Sequence, residues 1–175
     1  MSEEQAMSNF SVAVREATAK DADALYALAW ELADALGDRR PRPEATQARL
    51  LELLEEPRAW VLVAEDENGV VGAASLWIKP DLAHGDVVVE VPMLVVSQNT
   101  RRRGIGRLLV EKTQAIATAE NATLIELVAT RENDVARAFY HSLGFVETDH
   151  ITLEFIGDMQ NPPDLEQVQG PNTHT

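Results

Sequence analysis

A mixed α/β fold, one mixed sheet with helices on both faces, is what this chain predicts, and three observations lead there. Apolar spacing switches repeatedly between the strand and helix periods from Val12 to Ile156. An Asn68-Gly69 pair lies between two apolar runs, a strong hairpin signal. The segment Arg101-Arg102-Arg103-Gly104-Ile105-Gly106 joins an apolar run, Val87 to Val96, to an amphipathic stretch, Gly104 to Ala119. The resulting order is β-α-α-β-β-β-α-β-α-β-β.

Each element has its own signal. Val12 to Glu16 alternates like a short strand. Thr18 can cap the next helix, with Asp21 three residues on in a near capping box. That helix, Asp21 to Leu36, puts Leu25, Leu28, Leu32 and Leu36 on one face, and Gly37 ends it. Pro43 suits a first helical position, and Glu44 to Glu56 repeats the pattern through Leu50, Leu51 and Leu54. Strands follow at Trp60 to Glu65 and Val70 to Ile78, then a loop, Lys79 to Asp86, and the long strand Val87 to Val96. After the helix to Ala119 comes a strand, Thr123 to Ala129. Asn133 opens a helix through Leu143, ended by Gly144, and Phe145 to Thr148 with Ile151 to Ile156 read as a last strand pair.

At 175 residues, 45% apolar and 25% charged, the chain suits one globular domain. That domain is expected over residues 10–156, between a flexible N-terminus, 1–9, and a flexible C-terminal tail, 157–175. Without cysteine there is no disulfide, thiolate metal site or cysteine nucleophile, which fits a reducing cytoplasm. No apolar run approaches the roughly 20 residues that cross a bilayer, and Met1 to Phe10 is too polar for a signal peptide. The net charge of -14 repels nucleic acid and anionic membranes and favours cationic partners. Neither His84 nor His141 has a metal-like partner spacing, so no metal is expected.

On this acidic chain Arg101, Arg102, Arg103 and Arg107 form a local cationic cluster, suited to one bound anion. Glycines let backbone approach a phosphate closely, and a helix start offers unpaired N–H groups and the positive end of its dipole. Other anion motifs fit less well. A dinucleotide fingerprint would need glycine where Leu109 stands, and a P-loop would end in Gly-Lys-Ser/Thr.

The element order and two motifs resemble the GNAT superfamily of N-acetyltransferases over roughly Val12 to Ile156. The first motif is Arg/Gln-x-x-Gly-x-Gly/Ala, met by Arg101, Gly104 and Gly106. The second is Asn133 followed by Ala136-Arg137-Ala138-Phe139-Tyr140-His141-Ser142-Leu143-Gly144-Phe145. The resemblance implies a mostly antiparallel central sheet whose strands splay to admit acetyl-CoA. It implies a pyrophosphate on Arg101, Arg102, Arg103, Gly104, Ile105, Gly106 and Arg107, with Asn133 either touching the coenzyme or only capping its helix. Leu94, Val95 and Val96 would give backbone contacts to the pantetheine, the N–H of Leu94 polarising the thioester carbonyl. Pro92, which cannot donate to a ladder, would mark the bulge where the strands part.

Without cysteine a cysteine-linked acetyl-enzyme is excluded, and direct attack by an amine in a ternary complex is the simpler scheme and the one that the resemblance implies. Tyr140 would protonate the leaving thiolate and could also touch the coenzyme; the alternative is that it only packs. Glu90 is the candidate base, placed as in the histone-type branch, where a strand glutamate serves; alternation with Val89 and Val91 equally lets it face solvent. Asp34, Asp38, Glu44, Asp81 and Asp86 could draw a small cationic amine to the site. Residues Leu76 to Gly106 also loosely resemble small-amine acetyltransferases, including those for aminoalkylphosphonates, and Arg39, Arg40 and Arg42 would then hold the acid group. Peptide N-termini as acceptors, and a catalytically silent coenzyme A-binding module, are the other readings. Many members of that superfamily dimerise, so a homodimer is open.

Overall fold

The computed structural model describes residues 11–153, and the chain divides into two compact units, Met1–Arg137 and Ala138–Thr175. In the first unit, β1 (Ala13–Glu16) leads into a single 3-10 turn (Ala19–Asp21) and α1 (Ala22–Leu36). Thr18 and Asp21 form the predicted capping box: the Thr18 N–H donates to Asp21 Oδ2 at 2.7 Å and the Thr18 side chain accepts from the backbone in return. Gly37 closes α1 at φ +72, a left-handed cap that glycine adopts without a Cβ clash. Next comes α2 (Pro43–Glu55), with proline at its start where the missing N–H costs nothing.

The sheet is laid down in chain order by β2 (Ala59–Asp66), β3 (Gly69–Asp81), β4 (Asp86–Val96) and β5 (Leu124–Glu126). Pairing is antiparallel from β1 to β4 and parallel between β4 and β5. The parallel step is bridged by α3 (Ile105–Ala119), as a crossover connection requires. Side chains alternate between two cores. Leu62, Leu76 and Val89 pack with Ile105 and Leu109 of α3, while Val61, Val63, Ala73 and Val95 pack with Leu25 and Leu28 of α1 and Leu50 of α2. Burying Leu62, Leu76, Ile105 and Leu109 stabilises the unit by about 1.5–3 kcal/mol each. Helices therefore cover both faces of a mostly antiparallel sheet, as expected.

A departure from the expected element bounds has a physical cause, and the expected bulge lies beside it. The strand predicted over Thr123 to Ala129 is three residues long, because its ladder ends with Glu90↔Glu126. Just beyond that rung β4 bulges. Ser75 faces Met93 and Trp77 faces Glu90, so Leu76 opposes two residues, Val91 and Pro92. Pro92 has no N–H to continue a ladder, which is why the irregularity falls there.

In the second unit, the end of α4 (Asp134–Ser142) gives way to Gly144 at φ +88, with the Phe145 N–H donating to Tyr140 O at 3.1 Å. The last strand pair is a correction: among the described residues, Phe145–Thr148 and Ile151–Leu153 form no strand. Val146, Ile151 and Leu153 are more than 70% exposed (82%, 75% and 85%), so no edge pairs with them and alternation alone does not make a strand. Residues 154–156 of that expectation, and both expected flexible termini apart from the domain itself, lie outside the described residues.

Candidate active site

The centre of the site is the edge of β4 left open beyond Glu90. Ser97 donates its N–H to Val71 O on β3 at 2.9 Å. Strand alternation sends the N–H of Val95 the same way and turns those of Leu94 and Val96 toward the opposite, unladdered edge. The carbonyl of Val96 on that edge accepts from Arg101 Nε at 3.2 Å, so one of the motif arginines is anchored to the strand it follows.

From Val96 the chain makes a 3-10 turn, Gln98–Thr100, and then the arginine loop. Arg102 stands at φ +64, an unusual left-handed conformation for a side-chain-bearing residue and one that clusters at functional sites. Gly104, at φ +80, is the N-cap of α3 and supplies no side chain to bond its first turn, which also carries no acidic residue. The N–H groups at this end thus point out beside exposed Arg101, Arg102, Arg103 and Arg107, while Ile105 turns inward to anchor the helix. Packing is tight behind the loop: a Cβ on Gly72 of β3 would lie 3.1 Å from both Ile105 Cγ2 and Val95 O. A free strand edge that ends on a cationic, N–H-rich loop suits an extended amide-bearing chain terminating in a diphosphate.

Glu90 lies half-buried on the last β4/β5 rung, and its environment differs from the apolar one a strand base would want. Lys79 Nζ is 3.0 Å from Glu90 Oε2 and 2.9 Å from Glu126 Oε1. Hydrogen bonds to Glu126 first, and to Glu90, raise the Lys79 pKa, so this ammonium stays charged. Neither Lys79 nor Glu126 carries a sequence signal; register across three strands brings them to Glu90. Glu31 of α1 was equally silent. Its carboxylate accepts from Ser97 Oγ at 3.1 Å and the Gln98 N–H at 2.9 Å, pinning the start of the arginine loop.

Asn133 caps α4, accepting from the Ala136 N–H at 3.0 Å. Tyr140, in the second unit, sits between the rings of Phe139 (5.1 Å) and Phe145 (5.6 Å). Burial raises its pKa, so the phenol holds its proton at neutral pH. Its neighbour His141 is engaged by Phe145 O at 3.1 Å and Glu147 at 2.9 Å.

Of the carboxylates considered for an acceptor, several already have partners. Asp34 pairs with Arg40, whose guanidinium lies 4.1 Å above the Trp30 ring. Asp81 bonds His84 at 2.5 Å and raises its pKa, and Asp86 accepts from Thr123 Oγ1 at 2.7 Å. Asp38 and Glu44 are exposed. A shallow groove on α1 is lined by Tyr26, Ala27, Trp30 and Glu31. Among the described residues no helix is long and apolar enough to cross a membrane.

The chain is similar to known proteins over most of its length. The model of a family described as "Acetyltransferase (GNAT) family" matches residues 22–145. An aminoalkylphosphonate N-acetyltransferase of Salmonella typhimurium is 30% identical over 135 residues, 77% of this chain and 85% of that protein. A probable N-acetyltransferase of Mycobacterium tuberculosis is 29% identical over 109 residues; the match covers 55% of this chain and only 60% of that relative's length. Among solved structures, an aminoglycoside N-acetyltransferase in complex with CoA superposes with a TM-score of 0.74 at 19% identity, over 85% of this chain and 96% of that one.

Proposed function

This chain belongs to the acetyltransferase (GNAT) family, and from that premise we propose that it moves an acetyl group from acetyl-CoA to the primary amine of a small cationic molecule in the cytoplasm. The observation that carries the reading is the open β4 edge, with the Leu94 N–H turned toward it, running into the arginine loop at the start of α3. On this reading pantetheine amides pair with Leu94, Val95 and Val96, and the pyrophosphate rests on the N–H groups and guanidinium groups from Arg101 to Arg107. Asn133, besides capping α4, touches the coenzyme.

The reaction is a direct transfer. The lone pair of the neutral amine attacks the thioester carbonyl carbon, and the Leu94 N–H stabilises the charge that develops on its oxygen. The C–S bond then breaks, the sulfur takes the electron pair, and Tyr140 gives the thiolate its proton. Before the attack Glu90, directly or through water, takes the proton that the acceptor's ammonium must lose, and the proton shed by the nitrogen as the amide forms restores the Tyr140 phenol. The small-amine acceptor is supported by the Salmonella relative's name and by the acidic surface of a chain with net charge -14.

Release of coenzyme A thiol from acetyl-CoA tests the reading against a panel of polyamines, amino sugars, aminoalkylphosphonates, amino acids and peptides. With no cysteine the protein adds no thiol background. Thiol release well above hydrolysis with one small amine is expected. Release only with peptides would move the acceptor to polypeptide N-termini. Acetyl-CoA binding without release to any acceptor would favour a silent coenzyme A-binding module.

A further inference from the structure

The ion cluster around Glu90 spans three neighbouring strands. Glu90 and Glu126 are register partners across the parallel β4/β5 rung, and Glu90 also faces Trp77 of β3. Lys79, two residues beyond Trp77 on the same face, is the diagonal neighbour whose side chain can reach both carboxylates. Two like charges opposite each other on adjacent strands repel, and the Lys79 ammonium between them cancels that repulsion at 3.0 and 2.9 Å. The rung is the last before the strands part at the Val91-Pro92 bulge. All three side chains are between 40% and 47% exposed, so the cluster is open to solvent and is not a buried structural pair.

We propose that Lys79 is a positioning residue for Glu90: clamped by Glu126, its ammonium fixes the orientation of the Glu90 carboxylate beside the open strand edge. This rests on the reading of Glu90 as proton acceptor. Other charges do not substitute for it. Of the elements packed against β4, α1 aims Glu31 at Ser97 and Gln98 on the far side of the bulge, and α3 packs the opposite face with Ile105, Leu109 and Ile116. Asp86, on β4 itself, is engaged by Thr123. The raised pKa of Lys79 keeps the clamp charged throughout the range where amines are acetylated, and it makes Lys79 itself a poor acetyl acceptor.

The sign of the effect follows. Without the ammonium, two carboxylates face each other, and taking up a proton relieves their repulsion. A base must be deprotonated to act, so the acid limb of the kcat/KM profile moves to higher pH. The test is the pH profile at saturating acetyl-CoA, with the acceptor found in the panel, for wild type, Glu90→Gln, Lys79→Met, Lys79→Arg and Glu126→Gln. Lys79→Met is expected to shift the acid limb up by about one pH unit, so its loss approaches about tenfold on the slope below the wild-type limb and disappears by about pH 9. Lys79→Arg restores the limb, and Glu126→Gln, which frees the clamp but removes one of the facing charges, shifts it less than Lys79→Met. If Glu90→Gln abolishes the limb while Lys79→Met leaves it in place, or lowers activity equally at every pH, Lys79 has no such role. A limb that survives Glu90→Gln overturns the reading of Glu90 itself, and the role of Lys79 with it.

Discussion

Tyr140 is the residue proposed to protonate the leaving thiolate. Its motif, Ala136 to Phe145, named it as the acid, and the tertiary structure adds that burial raises its pKa above that of an ordinary phenol. An acid works only while protonated, so Tyr140 should impose no basic limb on kcat below about pH 10. Replacing it by phenylalanine keeps the tilted and edge-on ring contacts with Phe139 and Phe145 and removes the hydroxyl alone. Tyr140→Phe is expected to lower kcat about 10²-fold with acetyl-CoA affinity retained, measured by steady-state kinetics and equilibrium binding. An unchanged kcat would remove Tyr140 from the mechanism. Glu90 was nameable on the same grounds, but its setting was not. Lys79 and Glu126 are separated from it along the chain and meet it only through strand register.

At the scale of elements, the arginine loop depends on a helix that precedes it by some distance in the chain. Glu31 ties α1 to Ser97 and Gln98, so the helix is hydrogen-bonded to the start of the loop after β4. A carboxylate accepting two hydrogen bonds is worth more than a neutral group in the same place. Glu31→Gln should raise the KM for acetyl-CoA about tenfold, the equivalent of about 1.4 kcal/mol, with a smaller effect on kcat. An unaltered KM would mean that the loop keeps its shape without α1. The bulge was legible for a clear reason: proline has no N–H wherever it sits, so Pro92 had to interrupt a ladder. The missing strand pair after Gly144 was not, because a strand exists only where another edge accepts it.

A charge cluster at the N-terminal edge of the first unit adds to its stability. Arg15 forks onto Asp21 with two bonds of 2.9 Å and reaches Glu65 of β2 at 2.7 Å, joining β1, the capping turn and the second strand. The Arg15 hydrogen bond is the main reason that the buried Asp21 carboxyl falls from 3.8 to about 2. A depressed carboxylate stabilises the folded state above its unfolded pKa, and that contribution disappears as pH falls through the folded one. Here the window runs from about pH 4 down to about pH 2, and the contribution at neutral pH is about 2 kcal/mol. Asp21→Asn should therefore lower unfolding free energy by about 2 kcal/mol at pH 7 and flatten its decline between pH 4 and pH 2, as followed by urea denaturation. Equal slopes in the two proteins would show that Asp21 titrates alike folded and unfolded.

By itself the sequence determined what depends on local chemistry: periodicities, caps, the proline break, the Arg101 to Gly106 loop and the motif around Tyr140. Each is settled by a residue's own conformational limits or by neighbours within a few positions. Only the tertiary structure decided which charges meet. The clamp of Lys79 between Glu90 and Glu126, the tether from Glu31 to the loop and the fork of Arg15 on Asp21 and Glu65 all require registers and packings that no short window of sequence contains. Ion pairs act over a few ångströms in space, whereas sequence patterns report only separation along the chain.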